Sequence, residues 1–261
     1  MTTFLIGLAI AFVLGQFITR YKYEYLLKES NLVPSTLAAK YKKILGTHFD
    51  FYKLLPPKSK KIFEYRVARF IKLKEFIPRQ LTEVTDEMKV LISASAIQLT
   101  FGLPKVFLRH FRYILVFPET FYSQSNQTYH KGEVNPMKNA IVLSWKDFVD
   151  GYIRNEGINL GLHEMAHALQ LENIVENGEF GFLRDEDIEK WRAIASREIE
   201  KMRTGEATFF REYGSTNHAE FFSVAVENFF ERPIEFNDYH SELYKVLTDL
   251  LNQDPLLLIK N

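Results

Sequence analysis

The sequence predicts an α+β fold, ordered as helices, a small sheet, then helices again. Three observations carry this. Residues 20–80 hold apolar residues at three- and four-residue spacing, interrupted at Pro34, Pro56 and Pro57. Two central runs, "YILVFPETF" and "NAIVLSW", are rich in β-branched and aromatic residues, as strands are. The helical period returns in "NLGLHEMAHALQLEN" (159–173) and "STNHAEFFSVAVENFFERP" (215–233). With 261 residues, 46% hydrophobic and 25% charged, the chain is globular and long enough for a substantial core. We expect an apolar N-terminal anchor helix over 1–19, a helical linker over 20–49 and one main domain over 50–261.

The anchor comes first. The chain is apolar from Phe4 to Ile18, broken only by Gly7, Gly15 and Gln16, and residues 1–19 just reach the length a spanning helix needs. No Lys or Arg precedes this run, so it does not read as a cleaved leader. Arg20, Lys22 and Lys28 follow it, which sets a single pass in the inner membrane with the main domain in the cytoplasm. The alternative is a buried first helix of a soluble cytoplasmic protein. Gly7, Ala11 and Gly15 recur every four residues, and such a small-residue face suggests a weak homodimer of anchors.

Next, "PKSKKIFEYRVARFIKLKEFI" places Ile62, Phe63, Val67, Phe70 and Ile71 on an apolar face. Its basic residues, Arg66 and Lys74 among them, are expected as a solvated surface. Thr85 is the expected N-cap of the following helix and Gly102 its C-cap. "NAIVLSW" is a candidate edge strand for holding an extended peptide. Lys plus Arg and Asp plus Glu are each 33, so no nucleic-acid partner is expected, and the absence of Cys removes thiol nucleophiles and Cys-based metal sites.

The chemistry sits in "HEMAH". On a helix, His163 and His167 lie one turn apart on one face and can offer two imidazole nitrogens to one ion. Glu164, rotated about 100° from His163, sits beside that ion as a base rather than a ligand. A zinc hydrolase needs a third protein ligand and an open fourth position. The metzincin extension is absent, because Gln170 and Asn173 occupy the positions it would use, and a di-iron site would need a second E-x-x-H. The remaining source is a carboxylate from 215–233. There Glu220, Glu227 and Glu231 form a stripe between Phe residues on one side of a helix. Asn217 reads as the N-cap with Glu220 at the reciprocal position of a capping box, so spacing alone leaves Glu220 and Glu227 level.

These residues resemble the Mlc titration factor A family of zinc peptidases, which are gluzincin-type enzymes. The likeness runs through "TDEMKVLISASAIQLTFGL", "YILVFPETF", "HKGEVNPMKNAIVLSW", "GINLGLHEMAHALQLEN" and "EYGSTNHAEFFSVAVENFFERP" to "DPLL", roughly residues 50–258. It implies a zincin-like fold with a small sheet, an active-site helix and flanking helices. It also implies Zn2+ held by His163, His167 and Glu220, the last taken from the "NHAE" segment, where His218 stands in place of the family's Pro. Tyr213 is implied as a catalytic helper. The implied activity is aminopeptidase-like hydrolysis with Glu164 as general base. The implied partners are a peptide or protein substrate and a transcriptional regulator. The rival expectation is a membrane-tethered binding protein that captures such a regulator on a zincin scaffold.

Overall fold

Among the described residues, three helices precede the first strand: α1 (Ala39–His48), α2 (Asp50–Leu54) and α3 (Pro57–Leu73). They belong to a computed structural model that describes residues 36–259, apart from 104, 124–126, 155 and 207. The anchor expected over 1–19, with its small-residue face, lies outside the described residues. No described helix is long and apolar enough to cross a membrane. Pro57 starts α3, where its missing N–H costs nothing. Phe63, Val67 and Phe70 turn into the core, whereas Ile62 stays exposed.

Arg66 and Lys74 correct the expectation of a solvated basic face, because both are buried. Arg66 donates to the carbonyls of Phe101 (2.9 Å), Leu103 (3.1 Å) and Val106 (3.1 Å), and Lys74 to those of Leu108 and Phe111. The stretch between α4 (Asp86–Leu99) and the second strand has carbonyls that no ladder satisfies. Two cations reach in to satisfy them. Thr85 caps α4 as expected, accepting from the Met88 N–H. The C-cap, however, is Thr100. Gly102 is required instead for close approach, since a Cβ there would sit 2.2 Å from the Leu251 carbonyl oxygen.

The main sheet has the order β1 (Glu75–Pro78), β2 (Tyr113–Phe117), β6 (Ala140–Ser144), β5 (Gly132–Asn135). The first three are parallel, and β5 runs antiparallel to β6. The expected edge strand in "NAIVLSW" is therefore not an edge. β6 is buried at every residue and paired on both sides, as a continuous apolar run should be. The edge is β5, and the hairpin of β3 (Phe121–Ser123) and β4 (Thr128–His130) precedes it.

The remaining helices are α5 (Trp145–Arg154), α6 (Leu160–Ile174), α7 (Asp185–Arg203), α8 (His218–Glu231), α9 (Pro233–Tyr239), α10 (Ser241–Leu251) and α11 (Leu256–Ile259). A 3-10 turn, Glu212–Ser215, leads into α8. Leu162, Met165, Ala166 and Leu169 of α6 join Phe221, Val224 and Ala225 of α8 in the core. Helices α6 and α8 thereby form a fixed pair, and one wall of it carries the site.

Candidate metal centre

Helix α6 is short of charged residues at its start and needs its first N–H groups satisfied. Asn159 does this by accepting from the Leu162 N–H (3.0 Å). One turn in, His163 and His167 point their Nε2 atoms at each other, 3.1 Å apart. Glu220 enters from α8 and places Oε2 3.1 Å from His163 Nε2 and 3.3 Å from His167 Nε2. Asn217 caps α8, accepting from the N–H groups of Ala219 (2.9 Å) and Glu220 (3.0 Å). The Glu220 side chain, by contrast, faces the histidines.

The ligand atoms of His163, His167 and Glu220 all lie within 4.8 Å of one another, the one such metal-competent group among the described residues. Two ligands of a tetrahedral zinc at bond lengths of 2.0–2.1 Å stand about 3.3 Å apart. The three separations observed are those of one face of such a tetrahedron. The donor set, two imidazoles and one carboxylate, is also one that zinc accepts. The residues present therefore fit a zinc ion.

Behind His163 stands a second carboxylate. Glu227, fully buried, has Oε1 2.8 Å from His163 Nδ1. The same carboxylate accepts two bonds from Arg211 (2.9 and 2.7 Å) and one from the Asn159 N–H (2.5 Å). Nδ1 is thus the nitrogen whose proton Glu227 holds, and Nε2 is the one aimed at Glu220 and His167. Burial works against a charged His163, but the hydrogen bonds of Glu220 and Glu227 outweigh it and lift its pKa to about 10. Burial opposes a charged Glu220 too, and the two histidines overcome it, so its carboxyl is held well below the usual range. The pocket is built to surround positive charge. Glu231 completes the stripe by accepting from Gly157 N–H (2.7 Å) and Asn159 Nδ2 (2.8 Å). Glu220 and Glu227 therefore divide the work that spacing alone could not assign.

Glu164 is buried beside this cluster, and desolvation raises its pKa above the ordinary carboxylate value. Strand β5 presses on it: a Cβ at Gly132 would lie 2.3 Å from Glu164 Oε1. Only glycine lets the strand come so near. Tyr213, half exposed, puts its ring 5.9 Å from that of His163. Burial and Glu220 raise its hydroxyl to about 12, so it stays a donor at neutral pH. Arg211 stacks 5.8 Å over the Tyr213 ring and also donates to the Gly157 carbonyl (3.2 Å).

All five residues singled out in the sequence, His163, Glu164, His167, Glu220 and Tyr213, line one cavity of about 630 Å³. Sequence reasoning named Glu227 without its role and missed Gly132 and Arg211. Glu227 had a signal, an acid among phenylalanines, but no way to tell ligand from support. Gly132 had a weaker one, a lone glycine shortly before the "NAIVLSW" strand. Arg211 had none.

The model of the family described as glucose-regulated metallo-peptidase M90 matches residues 24–251. An uncharacterized protein of Synechocystis sp. is 28% identical over 246 residues, covering 88% of this chain and 90% of that protein. The Mlc titration factor A of Cronobacter sakazakii is 27% identical over 213 residues, covering 74% of this chain and 78% of its own length. That of Pectobacterium atrosepticum is 28% identical over 214 residues, with the same coverage.

Proposed function

Because the chain belongs to the glucose-regulated metallo-peptidase M90 family, we propose that it hydrolyses peptide bonds in an aminopeptidase-like manner, with zinc held by His163, His167 and Glu220. The observation that carries this is the triangle of 3.1, 3.1 and 3.3 Å between three ligand atoms, with Glu164 beside it. When bound, zinc supplies Lewis acidity, lowering the pKa of a coordinated water toward about 7 and polarising the scissile carbonyl. Glu164, desolvated and therefore more basic, takes a proton on its carboxylate and returns it to the leaving amine. The Tyr213 hydroxyl donates to the oxyanion as charge develops. The outer edge of β5 offers main-chain groups to an extended substrate, next to Glu164. Glu227 keeps His163 in the tautomer that leaves Nε2 free.

The names of the relatives favour a second reading beside this one, in which the same scaffold captures a transcriptional regulator. The anchor over 1–19 would hold the domain at the inner membrane, facing the cytoplasm. The deciding experiment is elemental analysis of purified protein together with hydrolysis of a peptide panel. Glu164→Gln should keep its zinc and lose activity by ~10²–10⁴-fold. Wild-type turnover in that variant refutes the peptidase mechanism. Regulator binding that survives in the same variant supports the second reading.

A further inference from the structure

The metal face of α6 does not stop at His167. One and two turns on, Leu171 and Ile174 continue the same stripe into the cavity. Phe222 comes from α8, two residues beyond Glu220, and Ile188 and Trp191 come from α7. Together they form an apolar chamber wall within the one cavity that also holds the metal centre. Ile174 is 66% exposed, so the chamber keeps apolar surface in contact with solvent that the core does not use. Arg192 lines the same cavity, exposed and with no carboxylate within ion-pair distance among the described residues.

Building on the peptidase reading, we propose that this chamber is a substrate side-chain subsite that selects a large uncharged apolar residue, aromatic or branched aliphatic, next to the scissile bond. Three arguments carry it. A peptide lying along β5 turns alternate side chains to one side, and the chamber adjoins the metal on the wall formed by α6 and α7. A small side chain leaves Leu171, Ile174 and Ile188 facing water and gains nothing from them, whereas a benzyl or isobutyl group covers them, with Trp191 and Phe222 as the buried floor behind. A lysine or arginine side chain has to lay its charge on this apolar wall in a cavity that Arg192 also lines, so desolvation opposes it and Arg192 adds repulsion.

The test uses the full-length, zinc-loaded protein and peptide hydroxamates that differ only in one side chain: methyl, isobutyl, benzyl or 4-aminobutyl. Affinity is read by calorimetry, so turnover is not needed. Isobutyl and benzyl should bind roughly ten- to a hundredfold tighter than methyl, and 4-aminobutyl should bind more weakly than isobutyl. Ile174→Ser, at an exposed position that does not threaten folding, should narrow the benzyl advantage. Arg192→Glu should strengthen 4-aminobutyl binding relative to isobutyl. Equal zinc-dependent affinities across the panel overturn the subsite while leaving the peptidase reading intact. A protein that takes up neither zinc nor any hydroxamate overturns the peptidase reading, and the subsite with it.

Discussion

Glu227 offers the sharpest perturbation of the site, because it touches no substrate and yet holds a ligand. Glu227→Gln keeps the shape and removes the charge. Four bonds converge on this carboxylate: His163 Nδ1 at 2.8 Å, Arg211 at 2.9 and 2.7 Å, and Asn159 N–H at 2.5 Å. Partners behind a metal-bound histidine typically change metal affinity by about 10–100-fold, so the variant should bind zinc weaker by ~1.4–2.7 kcal/mol. Folding should suffer separately. Truncation to Ala strands Arg211, whose side chain is 27% exposed and can recover part of its hydration. The cost should then fall at or below the lower end, about 3 kcal/mol, of the range for breaking a buried pair. Zinc affinity is read by chelator competition, and stability by urea unfolding of the metal-free protein, which separates the two effects. A Glu227→Gln protein that binds zinc within twofold of wild type would refute the positioning argument. So would a Glu227→Ala protein of unchanged metal-free stability.

Four further outcomes are expected. His163→Ala and Glu220→Ala should each purify with less than stoichiometric zinc, whereas Glu227→Gln should still load at saturating metal; elemental analysis that shows full zinc in Glu220→Ala reverses the ligand assignment. Gly132→Ala should lose most peptidase activity while keeping zinc, because its Cβ would have to displace Glu164 or the β5 edge, and unchanged turnover would show that the contact is slack. Burial raises Glu231 from 4.5 to about 7, so the folded chain holds a proton that the unfolded chain has released. Stability should therefore decline as pH rises from about 4.5 through about 7, and Glu231→Gln should flatten that slope in urea melts taken across the interval. Carbonate-washed membranes should retain the full-length chain and release a version lacking residues 1–24, and full-length protein in the soluble fraction would reject the anchor.

What the sequence disclosed of this protein follows the range of the interactions involved. His163 and His167 are legible because a helix turns residue spacing directly into geometry, and Thr85 and Asn217 because a cap bonds within three residues of itself. Strand order is a different kind of fact. β6 reads as a strand and β5 does not, and whether β6 is an edge depends on β2 lying beside it, a pairing of residues 27 positions apart, such as Tyr113 and Ala140. The burial of Arg66 and Lys74 was hidden for the same reason: their partners are the carbonyls of a distant irregular segment, and hydrophobic periodicity scores a cation as solvent-facing wherever its stem goes. Asn217 shows how a local reading can be right and still incomplete. It caps α8 as spacing predicts, but the reciprocal partner that spacing offers, Glu220, is taken by the histidines of another helix. Where a residue satisfies both a local motif and a distant cluster, the cluster wins when it is buried, because an unpaired set of buried imidazoles and carboxylates costs more than an open cap at the surface. An acid at a capping position just ahead of a run of phenylalanines is thus itself a signal: the helix is too buried for that carboxylate to be there for the cap alone.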